Sequence, residues 1–473
     1  MLTKGEYILG RAAEDGAVVL GFGISNVPLV DFLLGRGVPV EVRDGKTREV
    51  LGEGVDLDAY EKRGVKFRLG SGYLDDIPAS VVFRTPGIRP DAGGIPDAVE
   101  RGACLTSEME LFYALTPSYK VAVTGSDGKT TTTTLIHKLL SAAMGEGVKT
   151  ALGGNIGAPL LPRVYELSEG DFAVTELSSF QLMTMENAPE TAVITNITPN
   201  HLNWHLGMEE YIDSKLRILG DGCRRAVLNY NNEETRRAAG HTDAEVIWFT
   251  SGDVPDALDN VVYLEDGEIV LRRGGKRTPL LSQGDIKLPG MHNVENYMAA
   301  LAAVCDLVPL GVLLPCAREL ALTFGGVEHR LEFVRAVDGI DFYNGSIDST
   351  PSRTAAALSA LPGRRIVLIC GGYDKHIPME PLGEAVLAHG GVLHVVLTGA
   401  TEALIADAFG AVGVPADAYS MVPDFKDAVT EAAEKARILG ADTVLLSPAC
   451  ASFDAFSNFE ERGNFYKSIV NSL

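Results

Sequence analysis

The sequence predicts an α/β protein, because short apolar strands alternate with helical stretches along its 473 residues. Three stretches carry this prediction: the apolar run Ala17–Gly23 before a helix, the glycine-rich loop inside Tyr119–Lys138, and three apolar strands between residues 365 and 447. The length exceeds what a single core of roughly 150 residues holds, so we expect three domains. We place these domains at residues 1–114, 115–327 and 328–473.

The composition is typical of a soluble globular protein, with 46% hydrophobic and 22% charged residues. No apolar run approaches the length of a membrane span, and the N-terminus lacks the apolar segment of a signal peptide. We therefore expect a cytoplasmic protein without membrane contact. The net charge of −22 argues against nucleic-acid binding. The six cysteines form no Cys-x-x-Cys pair, which indicates reduced thiols.

The first domain begins like a dinucleotide-binding unit, with strand Ala17–Gly23, helix Ile24–Gly35 and strand Val38–Arg43 followed by Asp44. The fingerprint is incomplete, because Asn26 stands where the third glycine belongs. This argues against NAD and favours a UDP-sugar. Its diphosphate would lie at the helix start, Ser25 and Asn26, and its uridine near Asp44. A purely structural βαβ unit is the alternative.

The central domain begins with a phosphate-binding loop. Strand Lys120–Thr124 leads into a turn with two glycines, and a helix begins at Lys129. In this geometry backbone N–H groups and the helix dipole face an anion, Lys129 adds a positive charge, and the Thr130 hydroxyl can reach Mg²⁺. Val123 occupies the position of the usual first glycine, so the loop is short. The residues expected to bind ATP here are Gly125, Ser126, Asp127, Gly128, Lys129, Thr130 and Thr131.

This short loop, TGSDGKTT, resembles the ATP loop of the Mur ligases, the ATP-dependent amide ligases of peptidoglycan synthesis. The strings ELSSFQL at 176–182 and SPACAS at 447–452 resemble the branch of that family that adds D-glutamate. The resemblance covers essentially the whole chain. It implies a Rossmann-like N-terminal domain for the UDP-substrate, a central P-loop-type ATPase sheet, and a Rossmann-like C-terminal domain for the amino acid.

The implied reaction joins D-glutamate to UDP-N-acetylmuramoyl-L-alanine. The substrate carboxylate attacks the γ-phosphate of ATP, and the D-glutamate amine then attacks the resulting acyl phosphate. The implied cofactors are ATP and two Mg²⁺ ions, and we expect a monomer. Two alternatives remain: an amide ligase with a related acceptor amino acid, and a nucleotide or UDP-sugar binder that has lost catalysis.

Three residues outside the loop are candidate metal ligands. Glu176 lies at the C-terminal end of the strand Asp171–Leu177, beside the phosphate loop, where a carboxylate is suited to bind Mg²⁺. A glutamate that only caps the local backbone is the alternative. The resemblance implies a second Mg²⁺ on His201 and on Lys215, with Lys215 carbamylated by CO₂. A zinc site at His201 and His205 is the alternative for the histidines, and a solvent-facing lysine is the alternative for Lys215. The implied catalytic residues are Lys129, His201 and Lys215.

The resemblance implies further binding residues. For ATP, Asn293 and Asn296 would reach the adenine and Arg330 a phosphate. The residues implied for the UDP-substrate are Ser25, Asn26, Asp44, Ser71, Thr85, Gly87 and Asn155, and those implied for D-glutamate are Ser349, Lys375, Ser452 and Phe459.

The chain departs most from the family in the segment Phe342–Arg353. Gly345 replaces an aspartate that serves the nucleotide, and Ile347 replaces a lysine. Asp348 is an acid gained three positions on. We hypothesise that Asp348 takes over part of the nucleotide or Mg²⁺ contact. Cys450 raises the question of a cysteine nucleophile, but the sequence shows no histidine partner for it.

Overall fold

The computed structural model describes residues 3–202, 204–288, 290–375 and 377–473. The chain divides into two compact units, Met1–Thr323 and Phe324–Leu473. The first unit contains two sheets and the second contains one. The three sheets occupy successive stretches of chain, 17–106, 119–282 and 332–446. The α/β class expected from the sequence is confirmed, and the domain boundaries at 114 and 327 stay a prediction.

The first sheet is parallel and has the strand order β3-β2-β1-β4-β5. The chain runs outward from β1 to β3 and returns to the other side of β1 with β4. The carboxyl ends of β1 and β4 therefore flank a topological switch point, where open α/β sheets bind ligands. The strands are β1 Ala17–Leu20, β2 Val40–Asp44, β3 Lys66–Leu69, β4 Val81–Arg84 and β5 Cys104–Thr106.

The second sheet has the order β14-β13-β12-β11-β10-β9-β6-β8-β7. Its members are parallel from β7 to β12, and β12, β13 and β14 pair antiparallel. β6 lies between β8 and β9, so the loops after these three strands meet at one edge. The strands are β6 Tyr119–Thr124, β7 Thr150–Gly154, β8 Phe172–Glu176, β9 Thr191–Ile194, β10 Arg225–Asn229, β11 Glu245–Thr250, β12 Val261–Glu265, β13 Glu268–Arg273 and β14 Lys276–Ser282.

Helices cover these two sheets. The longest, α7, follows the phosphate loop and packs against α11 and α12. The helices are α1 Lys4–Asp15, α2 Asn26–Leu34, α3 Arg48–Gly52, α4 Leu57–Lys62, α5 Ile95–Glu100, α6 Glu108–Leu115, α7 Lys129–Met144, α8 Ser179–Leu182, α9 Met208–Leu216, α10 Glu233–Ala238, α11 Met291–Val304 and α12 Leu310–Thr323. Short 3₁₀ helices lie at Leu161–Glu166, Arg217–Leu219, Ala239–His241 and Gln283–Asp285.

The second unit holds a sheet of order β15-β16-β20-β17-β18-β19, parallel except for β15. Its switch point lies between β17 and β20. The strands are β15 Glu332–Val337, β16 Ile340–Asn344, β17 Ile366–Gly371, β18 Val392–Thr398, β19 Tyr419–Met421 and β20 Thr443–Leu446. The helices are α13 Pro351–Ser359, α14 Glu380–His389, α15 Glu402–Val412, α16 Phe425–Leu439 and α17 Phe459–Ser472, with 3₁₀ turns at Gly399–Thr401 and Ala416–Ala418.

The buried strands were predictable because they are short apolar runs, and glycines directly follow β1, β6 and β17. In the second unit the sequence indicates three strands, and the structure adds β15, β16 and β19, whose residues are partly polar or half-buried. The segment 250–280, predicted as turns and a hairpin, contributes β12, β13 and most of β14. Within the described residues, no helix is both long and apolar enough to cross a membrane.

Candidate active site

The phosphate loop is held open by two glycines with left-handed backbone conformations. Gly125 has φ +147° and Gly128 has φ +78°, and Gly128 is also the N-cap of α7. A Cβ on Gly125 would collide with the Thr195 hydroxyl, and a Cβ on Gly128 would collide with the side-chain oxygen of Asn296. Glycine is therefore required at both positions by backbone conformation and by space.

The Lys129 ammonium folds back over this loop. Its Nζ donates to the carbonyls of Gly125 (3.0 Å) and Ser126 (2.9 Å). The N–H and hydroxyl of Ser126 bind the segment after β9, with hydrogen bonds to the Asn196 and Thr198 carbonyls. The loop is thus tied to its neighbours while Lys129 supplies a positive charge at the start of α7. Thr130, the next residue of α7, is buried.

Glu176 connects the phosphate loop edge with the glycine loop after β7. Its Oε1 accepts a hydrogen bond of 2.7 Å from the side-chain amide of Asn155. Its Oε2 is buried and has no hydrogen-bond partner among the described residues. A buried carboxylate oxygen without a donor is costly unless a cation reaches it. The donor set fits Mg²⁺, a hard cation that prefers carboxylate and hydroxyl oxygens.

Lys215 lies on α9 and is 1% exposed. Its Nζ donates to the Gly125 carbonyl over 2.7 Å and lies 4.7 Å from the Tyr211 ring centroid. Burial, followed by the charge of Lys129, holds the pKa of Lys215 well below its ordinary value, although Glu176 and Asp127 act in the opposite direction. The alternative of a solvent-facing lysine is therefore wrong. This amine therefore lies against the Gly125 end of the phosphate loop.

The two histidines after β9 have different surroundings. The His205 side chain is buried, with Nδ1 3.1 Å from Glu210 Oε2 and Nε2 2.9 Å from the Ser179 hydroxyl. His201 has φ +54° and lies 5.0 Å from Phe180, ring to ring. Desolvation and the charges of Lys129 and Lys215 lower the pKa of His201. Both His205 nitrogens are engaged, which disfavours a shared zinc site.

Within the described ranges, no group of three or more His, Cys, Asp or Glu side chains is arranged to hold a metal ion. The expected ligands include a threonine hydroxyl and a modified lysine, which are not among these side-chain types. Glu176 and Lys215 both border the Gly125 end of the loop. These two, with Lys129 and Thr130, are predicted catalytic or metal-binding residues that the fold concentrates at one sheet edge.

The asparagines predicted to bind adenine begin α11. Asn296 is buried, accepts a 3.2 Å hydrogen bond from Thr132 of α7, and donates to Asn293 over 3.3 Å. The α11 start thus packs against the phosphate loop through Gly128 and Thr132. This packing brings the predicted base site and phosphate site side by side within the first unit.

A cavity of about 470 Å³ lies between the first two sheets. It is lined by residues predicted for the UDP-substrate, namely Ser25, Asn26 and Asn155. Asp44 lies nearby, and its Oδ2 accepts a hydrogen bond of 2.8 Å from the backbone N–H of Phe22. Thr85 directly precedes Pro86, which lines the cavity. Ser71 and Gly87 lie in exposed turns and do not line the cavity.

Sequence analysis missed two ionisable residues of this cavity, Arg84 and Glu108. Arg84 ends β4 and Glu108 begins α6. The only available signal was a charged residue closing an apolar strand, followed directly by the Thr-Pro-Gly-Ile turn. Nothing in the sequence near Glu108 indicates that its carboxyl is buried.

In the second unit, two of the residues predicted for D-glutamate are in contact with each other. Lys375, after β17, donates to the Ser349 hydroxyl over 3.1 Å. Ser452 is buried in the loop after β20, and Phe459 begins α17. Sequence analysis missed Arg462, a buried guanidinium that donates to the carbonyls of Ser346, Cys450 and Ala451.

The segment Phe342–Arg353, where the sequence departs most from the family, is closely packed around Asp348. Asp348 is buried, and its Oδ2 accepts a 2.9 Å hydrogen bond from the Ser447 hydroxyl. Burial raises the pKa of Asp348 to about 6, against the opposing effects of Ser447 and Arg353. Cys450 is buried and contacts the Thr401 hydroxyl, and burial raises the pKa of its thiol. This environment does not support Cys450 as a nucleophile.

Comparison with known families matches two stretches of the chain. Residues 123–304 match the model described as "Mur ligase middle domain". Residues 329–450 match the model described as "Mur ligase, glutamate ligase domain". The first stretch contains the phosphate loop and α11, and the second contains the sites after β16 and β17.

Curated relatives cover the whole chain. UDP-N-acetylmuramoylalanine–D-glutamate ligase of Acetivibrio thermocellus is 44% identical, with 100% of both chains covered. Proteins of the same name from Ruminiclostridium cellulolyticum and Clostridium perfringens are 43% and 42% identical. Their alignments cover 100% and 99% of this chain, and 100% and 98% of the relatives.

Solved structures show the same fold. UDP-N-acetylmuramate–alanine ligase from Thermotoga maritima is 19% identical with a TM-score of 0.52, covering 96% of this chain and 99% of the other. A UDP-N-acetylmuramoyl-L-alanyl-D-glutamate–2,6-diaminopimelate ligase is 18% identical with a TM-score of 0.51, covering 84% and 94%. Given the full-length identity to the curated relatives, the protein belongs to the Mur ligase family, among the UDP-N-acetylmuramoylalanine–D-glutamate ligases.

Proposed function

We propose that this chain is a cytoplasmic, monomeric ATP-dependent ligase that joins D-glutamate to UDP-N-acetylmuramoyl-L-alanine. The observation that carries the proposal is the hydrogen bond between Asn155 and Glu176. Asn155 lines the cavity between the first two sheets, and Glu176 ends the strand beside the phosphate loop. One contact therefore links a candidate UDP-sugar site to a candidate ATP site.

The chemistry needs activation, because a carboxylate oxygen is a poor leaving group. The UDP-substrate carboxylate attacks the γ-phosphorus of ATP, ADP leaves, and the amine of D-glutamate displaces phosphate from the acyl phosphate. The protein positions the groups and offsets negative charge. Lys129 supplies a positive charge at the phosphates, and the N-terminus of α7 supplies backbone N–H groups.

Two Mg²⁺ ions belong to the proposal. Thr130 and Glu176 would hold the first, and His201 and Lys215 the second. When bound, such ions neutralise phosphate charge and polarise phosphoryl oxygens. The buried, unpartnered Oε2 of Glu176 supports the first site.

We propose that Lys215 is carbamylated. The neutral amine nitrogen forms a bond to the carbon of CO₂, one N–H proton goes to solvent, and a carbamate anion results. A lowered lysine pKa favours this step, because only the neutral amine is nucleophilic. The product replaces a buried ammonium by an anion with two oxygens, which suits a Mg²⁺ ligand.

The second unit supplies the proposed amino-acid site. Lys375, with Ser349, Ser452 and Phe459, would bind D-glutamate, the ammonium of Lys375 facing a carboxylate. Arg330 and Asp348 would serve the nucleotide. Gly345 and Ile347 replace residues typical of the family, so the acceptor amino acid is tested directly in the experiment below.

The deciding experiment measures phosphate release with ATP, Mg²⁺ and UDP-N-acetylmuramoyl-L-alanine, across a panel of D- and L-amino acids. We expect turnover with D-glutamate and none with L-glutamate. Turnover with a different amino acid would identify that amino acid, in place of D-glutamate, as the acceptor. If no amino acid of the panel gives phosphate release but the protein still binds ATP and the UDP-sugar, a binding protein that has lost catalysis would be favoured.

A further inference from the structure

The cavity between the first two sheets has an unusual polar wall. A guanidinium and a carboxyl, Arg84 and Glu108, both line it, and both are buried. No ion pair joins them to each other or to any other described residue. The cavity volume, about 470 Å³, lies within the range typical of small-molecule sites.

Arg84 is 1% exposed, and its hydrogen-bond partners among the described residues are all neutral acceptors. Its Nη1 donates to the carbonyls of Pro86 and Ile88, and its Nη2 donates to the Phe180 carbonyl (2.7 Å) and the Thr184 hydroxyl (3.1 Å). Its Nε is buried and has no hydrogen-bond partner in the part of the chain that the structure describes. A buried cation without a counter-ion is costly, and an anionic ligand in the adjoining cavity would compensate it.

Glu108 lies on the same cavity at the first position of α6. Its Oε1 accepts a 3.1 Å hydrogen bond from the backbone N–H of Leu161. An ionised Glu108 at this cavity would repel a diphosphate, whereas the protonated carboxyl has an O–H to donate. Burial raises the pKa of Glu108 to about 7, against the effect of the Leu161 N–H.

We propose that Arg84 and Glu108 recognise the UDP-sugar substrate, Arg84 by offsetting the charge of its anionic part and Glu108 by donating a hydrogen bond in its neutral form. This inference rests on the proposed function and names specificity residues for it. It predicts that substrate binding weakens as pH rises, because ionisation of Glu108 removes the donor and adds repulsion.

Most of the other charged groups around Glu108 form ion pairs with one another, whereas Arg84 does not. Elements packed against α6 are α1 and the 3₁₀ helix Leu161–Glu166. The titratable and charged groups on these elements, on α6 and on the cavity are Lys4, Glu6, Tyr7, Arg11, Glu14, Asp15, Arg84, Glu110, Tyr113, Arg163, Tyr165 and Glu166. Lys4 pairs with Glu110, Arg11 with Asp15, and Arg163 with Glu166. None of these groups contributes to the pKa shift of Glu108.

The test is direct binding of UDP-N-acetylmuramoyl-L-alanine to the full chain without ATP, measured by titration calorimetry from pH 6 to 8.5. For the unaltered protein we expect Kd to rise roughly tenfold or more over this range. Glu108→Gln, which keeps a neutral donor, should bind with a Kd that changes less than about twofold. Glu100→Gln, an exposed change on α5, should keep the original pH profile.

Arg84→Met should weaken binding about tenfold or more at every pH, the loss typical of a charge-assisted hydrogen bond. Arg84→Lys keeps the charge and should recover part of that affinity. If Arg84→Met does not fold, as judged by its thermal unfolding, Arg84→Lys compared with Arg84→Gln at matched folding carries the test.

An unchanged pH profile in Glu108→Gln, or full affinity in an Arg84 variant without the charge, would overturn the inference while catalysis with D-glutamate stands. An unaltered protein that neither binds the UDP-sugar nor turns over would instead overturn the proposed function. The two failures are therefore distinguishable.

Discussion

The carboxylate of Asp348 occupies the space beside Gly345. A Cβ built on Gly345 would lie 2.6 Å from Asp348 Oδ2 and 2.7 Å from the Leu446 carbonyl oxygen. The Asp348 N–H also donates to the Gly345 carbonyl over 2.9 Å. Position 345, where the family has an aspartate, therefore lies next to the carboxylate of Asp348. The absence of a side chain at Gly345 leaves room for that carboxylate.

Asp348→Ala should raise the KM for ATP and lower kcat, because it removes the only acid of this loop. Since burial raises the pKa of Asp348 to about 6, the carboxylate forms above that pH. The effect should therefore be larger at pH 7.5 than at pH 5.5. Steady-state kinetics in ATP at both pH values measures it, with the exposed Asp417→Ala as control.

An unchanged KM for ATP and an unchanged kcat in Asp348→Ala would contradict the hypothesis that Asp348 contributes to the nucleotide or Mg²⁺ contact.

Lys129→Ala should abolish phosphate release, with a loss of about 1000-fold or more in kcat, because it removes a positive charge from the phosphate loop. Lys138→Ala is the matched control, an exposed lysine on the same helix, and should retain full activity. Near-normal turnover in Lys129→Ala would refute the assignment of this loop.

Glu176→Gln should reduce the stabilisation that Mg²⁺ and ADP give to thermal unfolding. The unpartnered Oε2 of Glu176 is the oxygen expected to meet the cation, and an amide is a weaker ligand. Thermal unfolding with and without Mg²⁺–ADP measures this difference. Glu146→Gln, an exposed change, should behave like the unaltered protein. An equal ligand-induced shift in both variants would argue against a metal at Glu176.

Lys215→Arg should lose most turnover, because a guanidinium does not form a carbamate. Enzyme kept free of CO₂ should regain activity when bicarbonate is added, and ¹³C-bicarbonate should give a carbamate NMR signal that Lys215→Arg lacks. Lys138→Arg should keep both responses. Bicarbonate-independent activity without a carbamate signal would exclude the modification.

Glu108→Gln should stabilise the fold more at pH 8 than at pH 5. The folded-state pKa of Glu108, about 7, is raised above its ordinary value of 4.5. The unfolded chain therefore releases this proton first, and stability falls as pH rises from about 4.5 to 7, then stays reduced. The variant should gain about 2.5 kcal/mol relative to the unaltered chain between pH 5 and pH 8. Denaturant unfolding at both pH values measures it, and a pH-independent difference would contradict it.

The sequence by itself determined the fold class, the phosphate loop and the family. These features are local: apolar strands, glycines before Lys129, and strings such as ELSSFQL are readable without knowing which segments meet. For the same reason Glu176 and Lys215 could be proposed from local patterns and a resemblance.

Only the tertiary structure decided what surrounds each side chain. The unpartnered oxygen of Glu176, the burial of Lys215, and the meeting of Arg84 with Glu108 on one cavity depend on residues far apart in sequence. Charge state and ligand preference follow from desolvation and from partners, and both are set by packing rather than by neighbours along the chain. The contact between Asp348 and Gly345 also depends on the tertiary structure, although the two residues are close in sequence. The sheet fixes the backbone turn that brings them together.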